Sequence, residues 1–174
     1  SEAGHYLTAV GEQRTIALAD GSEVILNTNS EIKIELTDSV RNIHLVRGEA
    51  HFEVASDKER PFLVHANGGI VKAVGTAFTV FLRKKAVEVT VSEGVVALFP
   101  QSVGSIVDEA LGVTAASLTP VAALTAGQNA VFSQQVESMT RMSDEALDRK
   151  LLWRGGFIAF AGEPLATVVA DVSR

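Results

Sequence analysis

Three sets of residues in this 174-residue sequence have types and spacings that could do chemistry. The first is Gly75-Thr76, set inside VKAVGTAFTV, where valines, aromatics and threonines otherwise alternate as a strand does. A threonine hydroxyl reaches the carbonyl carbon of the preceding residue through a five-membered ring, and glycine tolerates the strained geometry that such an attack needs. The structural reading of the pair is simpler: glycine lets the strand bend or a neighbouring aromatic lie across it, and threonine is a good strand former. No sequence feature places a base beside Thr76.

The second set is the four histidines, His5, His44, His51 and His65. None stands at helical i, i+4 spacing or in a tight ligand cluster. Alternation sets His44 and His51 opposite Ile43, Leu45, Phe52 and Val54, so the expectation is surface histidines and no metal site. His51 and Glu53 share a face as a potential hydrogen-bonded pair. The third set is Glu49 and Glu53, which an extended strand holds about 13 Å apart, too far for a paired acid and base without a bend. Arg60-Pro61-Phe62 reads as a proline at the first residue of a strand and an aromatic filling the core. No phosphate-cradling glycine loop of the GxxxxGK[ST] or GxGxxG kind opens a helix after a strand, so no cofactor is expected.

Composition narrows the classes further. Apolar residues make up 47% and charged residues 21%, which excludes disorder over most of the length. The net charge of -6 and the lack of a basic patch argue against nucleic acid as a partner. Arg83-Lys84-Lys85 lies between two strand patterns and reads as a solvated hairpin tip. With no Cys, disulfides, thiolate nucleophiles and cysteine zinc sites are excluded. No segment reaches the roughly 18 apolar residues that would span a bilayer, and no signal peptide opens the sequence.

The elements that must position these residues are mostly strands. Period-two alternation runs from about Glu12 to Phe99, clearest in SEIKIEL and AVEVTVS, where Val87, Val89 and Val91 point inward and Glu88, Thr90 and Ser92 point to water. Turn residues interrupt it at short intervals, predicting strands near 13–19, 23–27, 30–36, 40–47, 50–55, 62–66, 70–74, 77–83, 86–91 and 94–99. Gln101 to Ala123 shows no sustained period and reads as a long loop or irregular insertion, or equally as one holding an extra strand or short helix, since loops beyond about 12–15 residues are uncommon in compact domains. Leu124 to Ser133 reads as a turn and a closing strand. Ser143 is a helix N-cap, with Asp144 and Glu145 in the first turn and Arg149 and Lys150 in the last, predicting a helix over 143–152.

After Trp153 the grammar changes. Gly155-Gly156 breaks the chain, Phe157 to Phe160 reads as a short strand, and Glu163-Pro164 opens a helix with Leu165, Val168, Val169 and Val172 on one stripe. The expected fold is therefore mainly β, an antiparallel sandwich or roll of about ten strands. A partial small α/β subdomain follows. The boundaries drawn are 1–138 for the all-β domain and 139–174 for a linker helix and that subdomain. One strand and one helix do not close a core, which makes Trp153, Phe157, Ile158, Phe160 and Leu165 candidate partner-binding anchors, or else residues that dock on the β domain or complete a homo-oligomer.

GEQRTIALADGSEVILNTNSEIKI, LVRGEAHFEVASDKERPFLVHA, VKAVGTAFTVF, VTVSEGVVAL and LTAGQ together resemble the periplasmic part of the FecR family, the single-pass sigma regulators of cell-surface signalling. The resemblance covers most of Gly11 to Gln128. The tail, Trp153-x-Gly155 through Phe160 and Pro164-Leu165, looks like the opening of the short secretin/TonB N-terminal domain. What the resemblance implies is a non-enzymatic periplasmic relay whose parent is anchored in the inner membrane by a single helix. Its partners would be the signalling domain of a TonB-dependent outer-membrane receptor in iron, siderophore or haem uptake, and a periplasmic protease. An extracytoplasmic-function sigma factor would bind through a cytoplasmic domain absent from this chain. In some relatives the Gly-Thr bond breaks spontaneously by an N-to-O acyl shift, which carries a possible self-cleavage role to Gly75 and Thr76. A non-signalling envelope-binding β domain stands as a further alternative.

Overall fold

The computed structural model describes residues 2–101 and 119–155. Two compact units divide the chain, Ser1–Arg141 and Met142–Arg174. The first unit contains β1 (Glu2–Leu7), β2 (Arg14–Ala17), β3 (Glu23–Leu26), β4 (Glu31–Leu36), β5 (Arg41–Arg47), β6 (Glu49–Glu53) and β7 (Phe62–Ala66). It continues with β8 (Gly69–Ala73), β9 (Ala77–Leu82), β10 (Val87–Glu93), β11 (Val95–Phe99), β12 (Ala122–Thr125), β13 (Gln128–Phe132) and β14 (Val136–Arg141). β14 runs through residue 138, where the sequence reading drew its boundary.

These strands make two sheets of seven, in the orders β1-β4-β5-β7-β8-β11-β12 and β14-β13-β10-β9-β6-β3-β2. The chain passes repeatedly from one sheet to the other. All neighbours pair antiparallel except β5 and β7, which are parallel because β6 carries the chain through the second sheet between them. Alternation dictates which side chains meet. Ile32, Ile34, Ile43, Leu45, Phe62, Val64, Val71, Val96 and Leu98 from the first sheet enter one core with Val24, Leu26, Phe52, Phe78, Val80, Val87, Val89 and Phe132 from the second. Phe52 stacks on Phe78 at 5.3 Å between centroids and meets Phe62 of the opposite sheet edge-on at 5.7 Å. Each such fully buried side chain stabilises the fold by about 1.5–3 kcal/mol relative to leaving it in water.

The strand reading held from Arg14 to Phe99 and fell short at both ends. β1 was missed because Gly4 and His5 break the apolar alternation. β14 was missed because nearly all of it is exposed, so it carries no apolar alternation. β12 begins at Ala122, at the end of the stretch read either as irregular or as holding an extra strand, while residues 102–118 lie outside the described residues.

In the second unit α1 spans Asp144–Leu151, with the Ser143 side chain accepting from the Ala146 N–H at 3.1 Å and the expected charges at each end. A 3-10 turn, Leu152–Gly155, follows it. The expected strand at 157–160 and helix from 163 lie outside the described residues.

Candidate functional site

Gly75 and Thr76 sit in the switch where the chain leaves β8 of the first sheet for β9 of the second. Gly75 adopts φ +61, in the left-handed region open to glycine. Thr76 is 4% exposed, and its Oγ1 has no hydrogen-bond partner among the described residues. A buried hydroxyl without a partner costs about 1–3 kcal/mol, so the fold keeps this one at a penalty. Its backbone is fixed nevertheless: the Val54 N–H donates to the Thr76 carbonyl at 2.8 Å. A Cβ at Gly75 would lie 3.1 Å from Ser56 Cβ, so the segment after β6 packs directly against the glycine.

That segment is held from its other side by residues the sequence did not single out. The Arg41 guanidinium, wholly buried, donates to Asp20 Oδ2 at 2.8 Å, to the Ala55 carbonyl at 2.7 Å and to the Arg60 carbonyl at 2.9 Å. The Ser22 hydroxyl accepts from the Ala55 N–H at 2.9 Å and donates to Asp20 at 2.8 Å. Burial pushes the Asp20 carboxyl up, but hydrogen bonds from Arg41 and Ser22 outweigh it and hold the group below its ordinary value. The Asp20-Gly21-Ser22 turn is thus a ligand for Arg41 as well as a turn. The signal was legible in parity, since Arg41 is in phase with Ile43 and Leu45.

The histidines part company. His51 is fully buried, not a surface residue, and its Nδ1 lies 2.9 Å from Thr79 Oγ1. It belongs to a cross-strand row on the outward face of the second sheet, from Ile25 through His51, Thr79, Thr90 and Asn129 to Thr140. Glu88 and Thr90, expected to face water, are buried in this layer. Asn129 donates to both at 2.8 Å, and Arg83 pairs with Glu88 at 2.9 Å. The physical reason is that period two fixes which side of a strand a residue takes and is silent about what lies there. His51 and Glu53 do share a face, with Nε2 3.8 Å from Glu53 Oε2, beyond hydrogen-bond range. Thr79 and His51 are both buried, so neither presents its side chain to solvent, whereas Glu53 is exposed.

His44 and His65 sit at paired positions of β5 and β7 on the outward face of the first sheet, their rings stacked at 4.4 Å. The His65 Nε2 lies 2.8 Å from Asn42 Oδ1, which only accepts, so Nε2 carries the proton. Burial, reinforced by His44, pushes His65 down to about 4, and burial lowers His44 as well. His5 meets Glu31 at 2.6 Å, an exposed contact. Among the described residues no cluster of three or more His, Asp or Glu could hold a metal ion. Arg83, Lys84 and Lys85 form the exposed tip between β9 and β10.

Of the tail anchors, Trp153 is half-buried in the 3-10 turn, with its indole Nε1 buried and without a hydrogen-bond partner among the described residues. Phe157, Ile158, Phe160 and Leu165 lie outside the described residues.

Fold and site define a class: a two-sheet β module whose chain repeatedly changes sheets, with a glycine-threonine pair at one of the switches. The profile of the FecR protein family matches residues 4–97, just over half of the sequence, and the chain belongs to that family. Two crystal structures of a protein from Parabacteroides distasonis ATCC 8503, provisionally described as an anti-sigma factor, share the fold. Determined at 2.50 and 1.65 Å, they give TM-scores of 0.67 and 0.66 at 22% identity, covering 99% and 98% of this chain and 74% of theirs. No curated protein matches the sequence.

Proposed function

We propose that this chain is the periplasmic sensing region of a sigma regulator, a recognition module rather than an enzyme. The observation that carries the reading is membership of the FecR family together with a fold shared, over nearly the whole chain, with a protein provisionally described as an anti-sigma factor. In this reading a TonB-dependent outer-membrane receptor of iron, siderophore or haem uptake presents its signalling domain to the tail beginning at Trp153. The signal then passes through the membrane to a sigma factor, with a periplasmic protease in the relay. Titration of the chain with an isolated receptor signalling domain tests it: Trp153→Ala should weaken binding by more than ~1 kcal/mol if the indole is an anchor. Unchanged affinity would move the interface away from Trp153, and no binding of any receptor signalling domain would remove the relay.

A second reading, self-processing at Gly75-Thr76, is favoured by the buried, unpartnered Thr76 hydroxyl beside a left-handed glycine. The Thr76 Oγ1 lone pair attacks the Gly75 carbonyl carbon, the C–N bond breaks, and the hydroxyl proton ends on the freed Thr76 amine. Water then adds to the resulting ester and the C–Oγ1 bond breaks. One fragment ends in the Gly75 carboxylate, and the other begins with the amine and restored hydroxyl of Thr76. Intact-mass measurement of the parent beside Thr76→Ala decides it: cleavage of the parent alone supports the reading, and two intact chains refute it.

A further inference from the structure

Gly94 stands in the tight turn between β10 and β11 at φ +78. A Cβ placed on it would fall 2.8 Å from Thr76 Cγ2, 3.2 Å from the Gly75 carbonyl oxygen and 3.3 Å from Thr76 Cα. The bare glycine therefore leaves a recess, and the methyl of Thr76 and the carbonyl of Gly75 occupy it. Ser56 closes the opposite side of Gly75, and the Val54 N–H holds the Thr76 carbonyl. Threonine is stiff about χ1, and its methyl and hydroxyl are fixed to one carbon, so the seat of the methyl decides where the hydroxyl points. Here the hydroxyl points where nothing accepts its proton.

We propose that the Gly94 recess positions the nucleophile of the Gly75-Thr76 site: by seating the Thr76 methyl against the Gly75 carbonyl it selects the χ1 well that keeps the hydroxyl free of competing bonds. Gly94 is in this account a positioning residue, acting only through Thr76, and the inference rests on the self-processing reading. It assigns a role to the threonine methyl as well as to its oxygen. Ordinary reactivity would rank the less hindered serine hydroxyl at least level with threonine, whereas the recess ranks it lower, because serine has no methyl to seat.

The test follows the full chain, Thr76→Ser, Gly94→Ala and the double variant by intact mass at neutral pH, with and without hydroxylamine to trap the ester, after circular dichroism has shown each to be folded. The parent should give fragments ending at Gly75 and beginning at Thr76, faster with hydroxylamine. Thr76→Ser should cleave several-fold more slowly than the parent, and Gly94→Ala about tenfold more slowly, as a misplaced reacting atom does. Gly94→Ala should cost clearly less in the Thr76→Ser background than in the parent, since the closest atom, the methyl, is gone and only the looser contacts with the Gly75 oxygen and the Thr76 Cα remain. Should Gly94→Ala fail to fold, Thr76→Ser alone decides. A serine variant as fast as the parent, or a Gly94→Ala penalty equally large in both backgrounds, overturns the assignment while leaving self-processing intact. A parent that stays whole under both conditions overturns the self-processing reading itself.

Discussion

Arg41 and Asp20 form an ion pair at 2.8 Å with side-chain exposures of 0% and 3%, joining the turn between β2 and β3 to the start of β5 across 21 residues of sequence. The Arg41 guanidinium also lies over the Phe62 ring at 5.3 Å, so its charge is met by a carboxylate, three carbonyls and an aromatic face. The pair ties the segment that touches Gly75 to the rest of the β unit.

Removing one partner leaves the other buried and uncompensated. Asp20→Asn or Arg41→Met should therefore each cost about 3–5 kcal/mol in urea unfolding, and the double variant should cost clearly less than the sum. Additive losses would mean that the two charges are not coupled. The depressed Asp20 carboxyl also contributes stability that is present above the ordinary value of 3.8 and lost as pH falls below it.

His65 predicts a loss at a different pH. Its folded value of about 4 lies below the ordinary 6.5, so between the two the unfolded chain binds more protons than the native one. Stability is full above pH 6.5 and falls as pH drops towards 4, with His44, Lys33, Glu35 and Asn42 as the neighbours that share the effect. The expected loss is up to about 3 kcal/mol over that window, since 6.5 minus 4 is 2.5 pH units at about 1.36 kcal/mol each, and His65→Gln should flatten it. Equal slopes for parent and variant in urea midpoints at pH 7 and pH 4.5 would assign the loss elsewhere.

Asn67 and Gly68 both take positive φ in the two-residue loop between β7 and β8, as a primed hairpin turn requires. The Asn67 side-chain amide donates to the carbonyls of Arg83 at 2.9 Å and Ala86 at 3.1 Å, stitching this hairpin to the β9–β10 hairpin of the other sheet. Asn67→Asp turns two donors towards acceptors into an acceptor facing acceptors, and should lower stability by about 1–3 kcal/mol at neutral pH. Recovery at acid pH, where the new carboxyl is protonated, would identify the cause; a thermal midpoint equal to that of the parent would discount the stitch.

Trp153 is the only tryptophan of the chain, and its buried Nε1 has no acceptor among the described residues. Trp153→Phe deletes a donor that costs free energy while keeping most of the aromatic surface. The unfolding midpoint should therefore stay level or rise, by up to about 1 kcal/mol in stability. A drop beyond that size would show that the indole nitrogen is satisfied in solution.

Alternation made the inward set of β3 through β11 legible, because Val, Ile and Leu at period two specify a face without any knowledge of the neighbour. The helix at Ser143 was legible for the same local reason: cap, charges and boundary are all written within ten residues. Gly75-Thr76 was visible as an interruption, yet whether it bent within one sheet or switched between two depended on the pairing of β8 with β11 and of β9 with β6.

Parity, turn positions, capping and the motifs shared with the family can therefore all be read along the chain. Long-range packing supplied the rest: the Asp20 partner of the inward Arg41, the burial of His51, Glu88 and Thr90 on an outward face, and the Gly94 recess beside Thr76. Each of these depends on residues far apart in the chain being brought to one place by strand order. That order follows from the combined packing of both sheets rather than from any local pattern.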